Sequence, residues 1–269
     1  MRLAVSNIGW GQHDELRTLK QLRQLRVEGI EIAPTKIWPD WKGANHKSAT
    51  AYKSKMAELG FELPAMQAIL FGRPDLQLFD RDSHKKFFEH FKLLSEIAHG
   101  IGSKVLVFGA PKNRKRNQTP YPEATKIAAE FFTKAAEICW QSECLIGLEH
   151  NPVEYGCDFI TNMHDAKQLV KQVDHQGFKL HLDSAGLHMY GGDISELIKQ
   201  AGDFEHYHIS EPMLEPICNA EVNHSAAFTA LNNIDYQHWV SIEMKQPEIA
   251  SFLFDTVKLV NSKLRQKNM

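Results

Sequence analysis

The chain has 269 residues, 43% hydrophobic and 24% charged, so it can bury a large core and has neither the polar bias of a disordered chain nor the long apolar runs of a membrane protein. Its 31 Lys and Arg against 33 Asp and Glu give a formal charge of −2, which offers no broad positive field to a polyphosphate backbone and disfavours nucleic acid as a partner. The amino-terminal apolar run is short and interrupted by Ser6 and Asn7, and Cys139, Cys144, Cys157 and Cys218 form no CxxC pair, so a cytoplasmic protein with reduced thiols is expected.

Taken in chain order, short apolar strand patterns fall at 3–9, 29–34, 62–70, 104–110, 145–150, 179–184, 206–210 and 240–245. Between them lie segments such as 83–99 and 123–143, whose apolar residues recur at helical spacing with charges opposite. The alternation repeats about every 30 residues, as linked βα units do. Eight such units use up the chain and no linker divides it, which predicts one α/β domain over residues 1–269, a (β/α)₈ TIM barrel. An open doubly wound sheet is the competing fold, but no glycine-rich phosphate turn follows an early strand.

Barrel active sites form where the strands end, so late polar residues in apolar strands mark the chemistry. Four consecutive strands carry one each: Leu-Glu149-His, Leu-Asp183-Ser, Tyr-His208-Ile and Ile-Glu243-Met. Each alone fits a buried polar group closing the barrel rim. Three neighbouring carboxylates without a cation would repel one another, however, and the series of four favours a divalent metal. Three carboxylates and one imidazole suit manganese best, with magnesium, cobalt or zinc as alternatives, and exclude a thiolate-type zinc site.

Around this set the sequence offers further candidates for binding substrate. Strand alternation turns Asn151 to the side of Glu149, and Lys245 to the side of Glu243. Gln67 ends the third strand with an amide suited to sugar hydroxyls. Helix entry, ion pairing at the rim and backbone hydrogen bonding are the structural alternatives for these three. His224 fits a helix start better than the site, His84, His90 and His175 are expected at the surface, and Trp10 and Trp38 suit either a pocket floor or rim packing. The basic run 112–116 lies in the loop after strand four, as a solvated loop or as a device for recruiting a phosphorylated substrate.

The series Glu149, Asp183, His208 and Glu243, with Gly29-Ile30-Glu31-Ile32 in the second strand, resembles the xylose-isomerase-like barrel superfamily of sugar isomerases and epimerases across essentially the whole chain. Relatives include ketose 3-epimerases, hydroxypyruvate isomerase, inosose dehydratase and endonuclease IV. The resemblance implies that these four residues ligate the metal and that Glu149 and Glu243 double as acid and base. It also departs from the pattern. Where ketose epimerases place a substrate-binding His three residues after the strand-six Asp this chain has Gly186, making His188 the nearest candidate, and where they place an Arg after the strand-seven His it has Leu214. Gln67 and Gly109 stand near the positions of the additional histidines of endonuclease IV, which disfavours a trinuclear site.

The expectation is therefore a metal-dependent isomerase or epimerase acting on a small sugar, sugar phosphate or related keto acid through an enediolate. A dehydratase on the same site, an abasic-site nuclease and a non-catalytic sugar-binding barrel are the alternatives. Self-association is left open by the sequence.

Overall fold

The computed structural model describes residues 1–217 and 220–265, so Cys218 lies outside the described residues. Eight parallel strands run β1 (Arg2–Ser6), β2 (Gly29–Glu31), β3 (Ala65–Met66), β4 (Val105–Phe108), β5 (Leu145–Glu149), β6 (Phe178–Asp183), β7 (His206–Ile209) and β8 (Trp239–Ile242). They pair in the order β2-β1-β8-β7-β6-β5-β4-β3. The isolated bridges Gly29↔Glu62 and Ile32↔Met66 join β2 to β3 and nearly close a single TIM-barrel domain. β3 is much shorter than the predicted 62–70, because Pro64 has no N–H for the ladder and Ala68 turns the chain at φ 51°.

The helices α1 (Glu15–Gln24), α2 (His46–Glu58), α3 (His84–Ile101), α4 (Tyr121–Trp140), α5 (Met163–Val173), α6 (Ser184–Tyr190), α7 (Ile194–Ala201), α8 (His224–Asn233) and α9 (Ser251–Arg265) form the outer layer. The main apolar core lies between strands and helices, with Phe87, Phe108, Phe131 and Phe132 packed edge to face. Among the described residues no helix is long and apolar enough to cross a membrane.

Inside the barrel the filling differs from side to side. Ala65, Val105, Val107 and Leu145 form a small apolar cluster on the β3–β5 side. On the β2 and β6–β8 side the interior layer is polar, with Glu31, His181, His206, His208 and Ser241 all buried. Bulky branched residues usually fill that layer. A polar layer in this position is tolerable only if its members satisfy one another, and it lies directly beneath the strand ends.

Candidate metal centre

Strand register brings the four predicted residues together. β6 pairs with β7 so that Asp183 lies beside His208, and β5 pairs with β6 so that Glu149 lies beside His181. One donor atom from each of Glu149, Asp183, His208 and Glu243 lies within 4.8 Å of the others. His208 Nδ1 sits 3.1 Å from Glu243 Oε2 and 3.7 Å from Glu149 Oε1. Asp183 Oδ1 accepts from the Gly186 N–H at 2.7 Å, and its Oδ2 accepts from the Ser210 hydroxyl. Asp183 thus caps α6 while its carboxylate is held at the mouth.

Charge in this cluster is unbalanced. Burial pushes the Asp183 carboxyl up to about 7, helped by Glu149 and Glu243. Burial likewise raises Glu243. Burial alone would lower His208, but Glu31 and Glu243 hold it well above the ordinary histidine range. Three carboxylates facing one imidazole leave a net negative, largely dry site, a condition that a divalent cation relieves. His208 supports the fit: its Nε2 donates to Glu31 Oε1 at 3.0 Å, which leaves Nδ1 facing the carboxylates with no hydrogen-bond partner. That carboxylate–imidazole relay is the arrangement that orients histidine ligands. The donor set therefore fits a hard divalent ion.

Glu31, His181 and His206 were given no role from the sequence, Glu31 entering only as part of the second-strand pattern, yet they complete the centre. Glu31 is fully buried and accepts from His206 at 3.1 Å, His208 at 3.0 Å and the Ser241 hydroxyl at 2.7 Å. His206 and His208 overcome the burial penalty and hold its carboxyl well below the ordinary range. His181 lies 3.5 Å from Glu149 and is pushed down to about 3, chiefly by burial and then by His208. The signal was present: His181-Leu-Asp183 and His206-Tyr-His208 are two-residue repeats, which place both extra histidines on the ligands' side.

A cavity of about 690 Å³ opens above the cluster, bounded by Gln67, Gly109, Glu149, Asn151, Tyr155 and Glu243 among others. Gln67 donates to Ser6 Oγ at 2.8 Å, and Asn151 donates to Glu149 Oε2 at 3.0 Å while its own Oδ1 is buried without a partner. A Cβ at Gly109 would lie 2.1 Å from Glu149 Oε2, so glycine is required for this carboxylate position. The same crowding leaves no room for an additional histidine there.

Other expectations are corrected. His188 is exposed on α6 and does not line the cavity, because the helix that starts at Ser184 carries it outward. Lys245 is exposed and donates to Glu215 instead: β8 ends at Ile242, so strand alternation no longer governs its direction. His90 is buried rather than on the surface, and His84 and His175 are half-buried. Two readings hold: Trp10 and Trp38 pack in the core rather than floor the cavity, and His224 starts α8, paired with buried Glu211 at 2.5 Å. In the basic loop, fully buried Arg114 donates to the Glu149 carbonyl at 2.6 Å and Arg116 binds Asp158, tying the β4 loop to the β5 loop. Of that run, Lys112 and Asn113 border the cavity.

Fold and site together define a (β/α)₈ barrel with a carboxylate–imidazole cluster at the carboxyl ends of β5 to β8. The chain belongs to the xylose isomerase-like TIM barrel family, whose model matches residues 19–260. No curated protein matches it by sequence. Among solved structures, D-psicose 3-epimerase from Clostridium cellulolyticum H10 with D-tagatose shares 16% identity over 98% of each chain, with a TM-score of 0.81. An L-ribulose 3-epimerase shares 16% identity over 98% of this chain and 94% of its own, at 0.79. The IOLI protein with a bound zinc atom shares 20% identity over 100% of this chain and 99% of its own, at 0.75. At these identities the likeness establishes the common fold.

Proposed function

We propose that the protein is a divalent-metal-dependent epimerase or isomerase of a small sugar or sugar derivative. The observation that carries this is the approach of Glu149 from β5 and Glu243 from β8 to the same His208 Nδ1, at 3.7 and 3.1 Å, at the floor of an open cavity. Similarity to sugar epimerase structures supports the substrate class. Glu149, Asp183, His208 and Glu243 would hold the metal, with manganese favoured for the oxygen-rich donor set. When bound, such an ion polarises a substrate carbonyl and acidifies the neighbouring C–H.

The chain's own residues supply the proton transfers. One of Glu149 and Glu243 removes the proton from the carbon beside the carbonyl. Delivery by the other to the opposite face gives an epimer, and delivery to the adjacent carbon gives the aldose–ketose isomer. Asn151 holds Glu149 in place through the 3.0 Å hydrogen bond. Gln67, anchored on Ser6 and bordering the cavity, presents its carbonyl oxygen to a substrate hydroxyl.

Incubating manganese-loaded protein with a panel of ketoses in heavy water tests the proposal. Conversion with solvent deuterium on the product carbon is expected, and Glu149→Gln and Glu243→Gln variants that retain metal should lose net conversion, with exchange of substrate hydrogen surviving in the variant that keeps the abstracting carboxylate. Conversion without any solvent deuterium would overturn it in favour of a hydride shift.

A further inference from the structure

Besides the polar groups of the site, the apolar residues Ile69, Leu70, Phe71, Pro74, Pro111 and Leu214 border the cavity. Phe71 is the extreme member, 68% exposed. A lone exposed phenylalanine is common on protein surfaces. What distinguishes this one is how firmly its loop is held.

Buried His90 donates through Nε2 to the Ile69 carbonyl at 2.8 Å, and Trp41 Nε1 donates to the Phe71 carbonyl at 3.1 Å. The Phe71 N–H closes a turn on Ala68 at 3.0 Å. Buried Asn113 donates to the Arg73 and Leu76 carbonyls at 2.8 and 2.7 Å. Trp41 packs edge-on against His90, 4.6 Å between ring centres. Three side chains, from two loops and a helix, thus fix the backbone that presents one aromatic ring, a preorganised platform.

Size points the same way. A free hexose has about a dozen non-hydrogen atoms, and even at the ~30 Å³ that each water molecule takes in the liquid it fills roughly half of the space. The cavity holds about 690 Å³. The apolar residues named above are available to bound the remainder. Arg73 is committed to Asp75 through two bonds of 2.9 and 3.0 Å and to His90 at 3.0 Å, which leaves Lys112 at the exposed rim as the cation nearest to a phosphate.

We propose that the substrate is a sugar that keeps a ketone and carries an apolar, ring-sized aglycone at another carbon, the aglycone lying against Phe71 while the ketone and its neighbouring C–H reach Glu149 and Glu243; this rests on the sugar chemistry proposed for that site, and glucosides without a ketone serve as its unreactive binding analogues.

Titration calorimetry on manganese-loaded protein with phenyl β-D-glucoside, methyl β-D-glucoside and glucose 6-phosphate tests it. The phenyl glycoside should bind about tenfold more tightly than the methyl glycoside, the size expected of an aromatic pair plus the area it covers. Phe71→Ala should bring that ratio close to one with the methyl glycoside unchanged, and Phe71→Trp should keep it. Equal binding of phenyl and methyl glycosides by the wild type overturns the proposal. So does tightest binding of the phosphate, no binding of the phenyl glycoside at millimolar concentration, or an equal loss of both glycosides in Phe71→Ala. Deuterium exchange on free ketoses separates the two levels: exchange without an aryl preference refutes the aglycone alone, and an aryl preference without exchange supports the aglycone and removes the epimerase.

Discussion

Glu31→Gln isolates the buried relay behind the proposed metal ligand. Glu31 Oε1 accepts from His206 and His208 at 3.1 and 3.0 Å, and Oε2 accepts from Ser241 at 2.7 Å, all without solvent. Glutamine keeps the volume. With its NH₂ turned to Ser241, whose hydroxyl can accept, its carbonyl still serves both imidazoles, so the barrel should fold. What is lost is the negative charge that fixes Nε2 of His208 as donor and enriches Nδ1. Removing such a partner costs about 10–100-fold in metal affinity, or roughly 1.4–2.8 kcal/mol. Glu31→Leu removes the acceptor as well and strands three buried donors, so about 3–5 kcal/mol of stability should go with it. Chelator-competition titration with manganese, alongside urea unfolding in the presence of chelator, reads the two effects separately. A folded Glu31→Gln protein whose manganese affinity stays within twofold of wild type refutes the relay.

Three further outcomes follow from the geometry. Gly109→Ala puts a Cβ where Glu149 Oε2 lies, so the carboxylate must move; turnover should fall about 100-fold, as for a 1 Å misplacement, with the melting temperature nearly unchanged, and unimpaired turnover refutes it. His90 is lowered to about 4, first by burial, so the unfolded chain takes a proton near pH 6.5 that the fold refuses until about pH 4. Stability therefore falls with pH across that window, by about 3 kcal/mol from this residue, and His90→Gln should flatten the slope by up to one proton; an identical slope contradicts it. Cys139, Cys144 and Cys157 are buried and free, so a thermal melt should be the same with and without reductant, and a large drop under reduction would expose a disulfide.

Much was legible in one dimension because barrel strands are short and periodic. The eight strand patterns and the late polar residues on four of them depend only on local alternation, and Glu149, Asp183, His208 and Glu243 converge because register adds nothing beyond placing strand ends side by side. Alternation also placed Asn151 correctly, although β5 ends at Glu149, because its amide binds that carboxylate. It misplaced Lys245 and His188 because both lie beyond their strands, where a local ion pair and a helix turn decide direction. The sequence by itself determined the alternation of elements and the residue types at the strand ends. Tertiary structure alone decided that Glu31 on β2 meets His208 on β7, 177 positions away, that Arg114 is buried structural cement rather than a phosphate hook, and that His90 and Trp41 hold Phe71 at the rim. Those choices depend on which distant groups share a dry space, and burial of a polar group is set by its partners, not by its neighbours in the chain.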